Sequence, residues 1–488
     1  MYIVIAALVM AMGWSIRGRY GHGTGAMMPG AMLAMFLAVA SSRPDWQRRA
    51  AIAGLAGALG WAFGGQTSYG LLVGYTASGE FGTILYGYWT FVLAGGMWGA
   101  IGGGILGLAL TEKRSDLSQY ILPLTLIGAI WIVANVSGLR AGLPDLYDTS
   151  WFETTSALAV ALVVGLVAPS ARRACRLIAL LCIGWWLGLG ILTLALGLRL
   201  NPPRSDSWAG CLGVAVALLA YLWTTRNRAA LMLAQYGLLA GALGFFIGDF
   251  VQIVQRWHWG PFQYAALQEH RGWSKMEMLF GLVMGGGVAY GARRLAREGL
   301  AAPIEDAPRS VLNEFAVLYL FVPMMWWNFS RNITLWQEAE LFPPTVLGVA
   351  GDWWALAAGL LLSALVVGTV WRYRTAGLAF VPRTALGKGQ LLLLVLMWLI
   401  VGASFAGMMG QHDEPGVIQS EMFYLLCASA ASWWLVADCR DSTPAMAPVR
   451  AASDEHWRPG RVYLALWGAL PLLVLLAAWM SYAIAEGR

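Results

Sequence analysis

Long apolar runs, broken only by short polar segments, follow one another from residue 1 to residue 485. Several are long enough to cross a hydrocarbon core of ~30 Å as α-helices rising ~1.5 Å per residue, and the others are shorter. Cutting the chain at its polar breaks predicts helices near 1–14, 25–40, 50–65, 84–110, 120–138, 154–169, 178–199, 208–223, 230–250, 276–292, 312–327, 347–371, 390–409, 422–437 and 462–485. The pattern therefore predicts an all-α polytopic membrane protein of about 14–15 transmembrane helices, in a single integral membrane domain over 1–488. No stretch of the ~100 residues that a soluble domain needs is left over. The first run, Met1 to Trp14, lacks a basic leader and a small-residue cleavage site, so it reads as a retained span and not a signal peptide.

Composition strengthens this picture. Charged residues make up 12% of the chain and hydrophobic ones 59%, whereas about a quarter of a soluble domain is charged. A water-soluble enzyme is excluded. With the N-terminus in the cytoplasm, 22 of the 32 basic residues fall on inner connections, among them Arg48, Arg49, Arg114, Arg173, Arg294 and Lys388. Anionic lipid and the membrane potential hold such loops inside, so the sequence predicts a cytoplasmic (inner) membrane protein. The net charge of +6 is accounted for by topology, and no nucleic-acid partner is expected. The five cysteines show no CxxC or CxxH spacing, which argues against a zinc site or a disulfide framework.

An internal similarity divides the chain. Gly57-Ala-Leu-Gly-Trp-Ala-Phe-Gly64 recurs as Gly241-Ala-Leu-Gly-Phe-Phe-Ile-Gly248, and Leu93–Gly99 aligns with Leu279–Gly285. The copies lie six predicted helices apart and so share an orientation. This predicts two parallel six-helix repeats, 1–170 and 178–371, followed by three C-terminal helices in 390–488. Close packing of small residues would produce some of this similarity by itself. The arrangement resembles that of the major facilitator superfamily, but the segment Ser41–Arg49 lacks that family's loop pattern, and no family is assigned.

The outer connections gather most of the acids, amides and histidines, together with Trp and Tyr, so chemistry is expected there. The first outer turn, Arg17-Gly-Arg-Tyr-Gly-His-Gly-Thr-Gly25, offers two guanidiniums, His22 and glycine backbone to an anionic or hydroxyl-rich ligand. It has no P-loop pattern. The corresponding turn of the second half carries Arg204, Asp206 and the interfacial Trp208, where a helix cap with a salt bridge is the simpler account. Asp249 ends an otherwise apolar helix, at a cost of several kcal/mol unless it is solvated or paired; Gln66, Thr67 and Gln252 are its expected neighbours. The segment from Arg256 through Glu269 to Trp273 leads into Lys275 and Glu277, with Glu277 one turn inside the next helix and able to pair with Lys275 or Asp249. Indole and phenol faces of the kind found here stack on sugars, although an interfacial aromatic belt has a similar composition. Asn328 and Arg331 follow a tryptophan pair, and Glu421 heads a late helix.

Two functions fit. The first is a secondary transporter of a small polar organic solute, sugar-like or anionic, coupled to H⁺ or Na⁺ through Asp249 and Glu277 and needing no bound cofactor. Its cavity would be lined by Arg17, His22, Gln66, Arg204, Trp208, Gln252, Trp273, Lys275, Asn328, Arg331 and Glu421. The alternative is a membrane enzyme with an outward-facing site for glycosyl or acyl transfer or hydrolysis, acting on a glycan with a carboxylate pair drawn from Asp206, Asp249, Glu269, Glu277 and Glu421.

Overall fold

The computed structural model describes residues 1–21, 23–64, 69–144, 146, 149–200, 207–264, 272–303, 311–341, 343–409, 417–439 and 449–487. Seventeen main helices run through them in chain order. They are α1 (Tyr2–Arg17), α2 (Thr24–Val39), α3 (Ala50–Gly64), α4 (Gly70–Thr76), α5 (Phe81–Thr111), α6 (Ile121–Val136), α7 (Trp151–Val167), α8 (Arg172–Gly188) and α9 (Ser207–Thr224), then α10 (Arg228–Arg256), α11 (Gly272–Arg297), α12 (Leu312–Phe321), α13 (Pro323–Glu338), α14 (Gly351–Ala376), α15 (Ala385–Met408), α16 (Val417–Ala437) and α17 (Arg461–Glu486). The described sheet is a two-stranded hairpin, Thr345–Val346 with Val349–Ala350. The chain is thus all-α, and among the described residues eight helical stretches are long and apolar enough to cross a membrane.

The predicted runs at the start of the chain are shorter in three dimensions than a free-standing crossing. α1, α2 and α3 have 16, 16 and 15 residues, below the ~20 that a lone span needs. Their burial explains how they persist: Trp14, Met28, Phe36 and Trp61 are completely enclosed. They are walled by α5, α10 and α11, and the helices on the periphery, such as α14, carry the exposed apolar surface.

One crossing organises this centre. Gly95, Gly99, Gly103 and Gly107 repeat every fourth residue and so form one stripe along α5. That stripe lies antiparallel on Gly241, Gly237, Leu233 and Ala230 of α10. The backbones approach so closely that a Cβ at Gly99 would stand 1.9 Å from the Gly237 carbonyl oxygen. Where lipid removes the hydrophobic drive to associate, such small-residue contact holds helices together through dispersion. At the opposite end of the bundle from Arg17, buried Arg49 donates to the carbonyls of Ala109 (2.8 Å) and Glu112 (2.7 Å). It thereby satisfies carbonyls that the C-terminus of α5 would otherwise leave open.

Candidate functional site

The turn after α1 is the hub. Gly18 continues the helical conformation, so Trp14, Ser15, Arg17, Arg19 and Tyr20 project from fewer than two turns into different neighbours. The Arg17 guanidinium lies 3.2 Å from a carboxylate oxygen of Glu277 on α11, with both side chains almost wholly buried. The Tyr69 hydroxyl sits between them, hydrogen-bonded to Arg17 and to Glu277. Gly18 makes this approach possible, because a Cβ there would stand 2.4 Å from Glu277 Oε2.

Aromatic rings enclose the group. The Arg17 guanidinium carbon lies 5.3 Å from the ring centres of Trp14 and Tyr69 and 5.5 Å from that of Trp98. Tyr69 in turn meets Phe245, Phe280 and Trp273 at 5.9, 5.8 and 6.0 Å. Trp273 is the ring of this set that reaches solvent, at 44% exposure. Ring faces carry negative potential and favour a cation, and the enclosure excludes the water that would screen the ion pair.

Two residues on, Arg19 makes a second pair, 3.0 Å from Glu421 on α16. Ser404 ties it together: its hydroxyl donates to Glu421 (2.9 Å), and its carbonyl accepts from Arg19 (2.6 Å). Tyr20 Oη and Asn332 Nδ2 both donate to the Ala403 carbonyl, at 3.0 and 2.8 Å, and the Ser15 hydroxyl meets that of Tyr424 at 2.7 Å.

Asp249 is a third buried acid, and its situation differs. It is completely enclosed on α10, beside Thr76 and Tyr88. The Thr76 hydroxyl lies toward the carboxylate and bonds the Val73 carbonyl (3.1 Å), and the Tyr88 hydroxyl is engaged with Ser481 (2.6 Å). Among the described residues, neither Asp249 oxygen accepts a well-formed hydrogen bond, and no cation pairs with it. Gln252, one turn on, is also buried, with its Oε1 unpartnered among the described residues. Gly248 packs on the Met276 backbone, which sets Asp249 and Glu277 at one level of the α10–α11 pair.

No protein-family model, curated protein or solved structure matches the chain. The geometry therefore carries the reading alone.

Of the residues singled out in the sequence, the structure brings Arg17, Trp273 and Glu277 into one group and places Glu421 in the adjoining one. Glu277 pairs with Arg17, where the sequence offered Lys275 or Asp249; the Lys275 ammonium instead lies 5.7 Å from the Phe262 ring. Trp208 is buried in the first turn of α9, and Asn328 is buried with its Nδ2 donating to the Met324 carbonyl (2.8 Å). Arg331 is exposed on α13, 3.9 Å from Glu338. His22, Gln66, Thr67, Arg204, Asp206 and Glu269 lie outside the described residues. Tyr69, Arg19, Ser404 and the enclosing Trp14 and Trp98 enter the site from the structure. Arg19 was visible in the first outer turn, whereas nothing in the apolar surroundings of the others marked them.

Proposed function

We propose that the chain is an ion-coupled secondary transporter of a small polar organic solute, sugar-like or anionic, with Asp249 as the carboxylate that carries the coupling H⁺ or Na⁺. One observation carries this reading. Three buried acids lie around the Arg17 end of the bundle; Glu277 and Glu421 each have an arginine, and Asp249 has none among the described residues. A lone carboxylate in such surroundings is tolerated once a proton or a cation neutralises it, which is the property a coupling site requires. The aromatic enclosure that opens at Trp273 offers flat faces for a polyol or sugar to stack on.

The accompanying topology is two parallel six-helix repeats plus three C-terminal helices, with the N-terminus in the cytoplasm and the Arg17 end outside. The choice of partner helix supports it, although the seats lie about two turns apart in the aligned sequence. Gly60 and Gly64 of α3 seat on α5 at Gly102 and Trp98, and their counterparts Gly244 and Gly248 of α10 seat on α11 at Phe280 and Met276. Solute sites of such transporters lie between the repeats.

The test is proton- or sodium-driven uptake into proteoliposomes, using a panel of radiolabelled monosaccharides and sugar acids. Wild type should accumulate one of them against its gradient. Asp249→Asn should lose accumulation and keep exchange, and equal gradient-driven accumulation in the two proteins would remove Asp249 from the coupling role.

A second reading has its own support. Asp249 and Glu277 stand at one level on adjacent helices, Glu277 turned to Arg17 and Asp249 to Thr76 and Tyr88; a turn of the two carboxylates toward one substrate would supply the pair that glycosyl transfer or hydrolysis at an outward-facing site needs. Turnover of a lipid-linked glycoside by the protein in detergent, without any gradient, would favour it.

A further inference from the structure

A groove of about 1370 Å³ runs along α12, α13, α14 and α15; Asn332 and Ala403, beside the Arg19–Glu421 group, lie at its edge, and neither buried ion pair lines it. It exceeds the ~300–1,000 Å³ of common small-molecule sites. α14 forms its outer wall. This helix has 26 residues, about 39 Å at ~1.5 Å per residue, which is enough to cross a bilayer. Gly351 is its one buried residue among those described. α14 touches α13 closely where Gly359 meets the Trp326 ring. It packs against α12 as well and stands off from α15, so the groove opens sideways between α14 and α15, toward where lipid would lie.

The lining is strongly graded along its length. Leu362, Val366 and Val370 form one stripe of α14 at helical spacing, and Leu392, Val395 and Leu399 face it from α15. At the Trp336–Trp354 end the walls carry indoles, small residues and Asn332, with no charged group among the described lining. At the other end Arg48, Arg114, Arg383 and Lys388 converge against a single acid, Glu314. Long apolar walls that terminate in a cluster of cations match a molecule with fatty chains and an anionic head.

We propose that this groove is a binding site for a phospholipid with an acidic headgroup, the phosphate seated among Arg48, Arg114, Arg383 and Lys388 and the acyl chains laid between α14 and α15. The site is built for a lipid entering from the bilayer and not for a solute arriving from water, because its open side is the apolar one. Basic residues at a membrane surface hold acidic lipid with a strength that grows with each cation, and the acyl chains add affinity in proportion to the apolar area they cover.

The test uses the full-length protein in detergent, exchanged against phosphatidylglycerol or phosphatidylcholine, with retained lipid counted by native mass spectrometry. Wild type should keep phosphatidylglycerol in preference. The double variant Arg383→Gln/Lys388→Gln alters two groups at the water-facing rim and should weaken phosphatidylglycerol retention roughly 20- to 30-fold, with little effect on phosphatidylcholine. Leu362→Trp fills the apolar part without touching charge and should lower retention of both lipids. Equal retention of the two lipids by wild type, or full displacement of phosphatidylglycerol by millimolar inorganic phosphate, would overturn the proposal. So would retention unchanged in both variants.

Discussion

The Arg17–Glu277 pair yields a quantitative prediction. At 3.2 Å, with side-chain exposures of 1% and 7%, the two charges attract by about 5 kcal/mol at an effective dielectric of ~20. Most of that offsets the desolvation of both groups, so the pair as a whole adds little net stability. Removing one partner is different, because it strands the other charge. Glu277→Gln should cost about 3–5 kcal/mol, and Arg17→Met a similar amount. The double variant Arg17→Met/Glu277→Gln strands no charge and should cost well under the sum, leaving a coupling energy near ~3 kcal/mol, the upper end for residues in contact. Unfolding in mixed micelles, followed through the intrinsic fluorescence of the chain's 26 tryptophans, measures all four corners of the cycle. If the single-variant losses add to within ~0.5 kcal/mol, the two side chains do not form a buried pair, and the enclosure described around them is wrong.

Two other perturbations follow from close approaches of backbone and side chain. Gly99→Ala forces apart the α5–α10 crossing, where the new methyl group would stand 1.9 Å from the Gly237 carbonyl oxygen; a loss of ~1–3 kcal/mol or more is expected in detergent unfolding, against a gain of up to ~0.5–1 kcal/mol for Gly74→Ala inside α4, whose Cβ would meet nothing within 4 Å. Gly18→Ala should displace the Glu277 carboxylate from Arg17 and destabilise wild type, and the same substitution should cost much less in a Glu277→Ala background, as thermal unfolding of the single and double variants would show.

The helical character of the chain was legible because one periodicity repeats along its whole length and charges fall in the breaks. The N-terminal runs 1–14, 25–40 and 50–65 also match α1 to α3 within three residues at each end, but that helices so short are held by burial inside a larger bundle was not legible. The site divides in the same way. Arg17, Glu277 and Glu421 stood out as polar groups at the ends of apolar runs, where burial makes each one costly. Their enclosure depends on contacts between distant segments, such as Tyr69 with Glu277, 208 positions apart, and Arg19 with Ser404, 385 apart, and no local spacing encodes them. Asn328 and Arg331 were favoured by their position after a tryptophan pair, yet it is Asn332, one turn beyond Asn328, that reaches the Ala403 carbonyl. The face of α13 decides which residue turns inward, and only packing against α15 reveals that face.

The short stretch from Ser15 to Tyr20 grips α11 through Arg17 and the α15–α16 pair through Arg19, Tyr20 and Ser15. These anchors share six consecutive residues, fewer than two helical turns, and cannot travel independently. A displacement of α11 that loosened Glu277 would pull the same backbone that seats Glu421, so the turn works as a yoke between segments far apart in sequence. Any rocking of the later helices against the earlier ones must pass through it or break it.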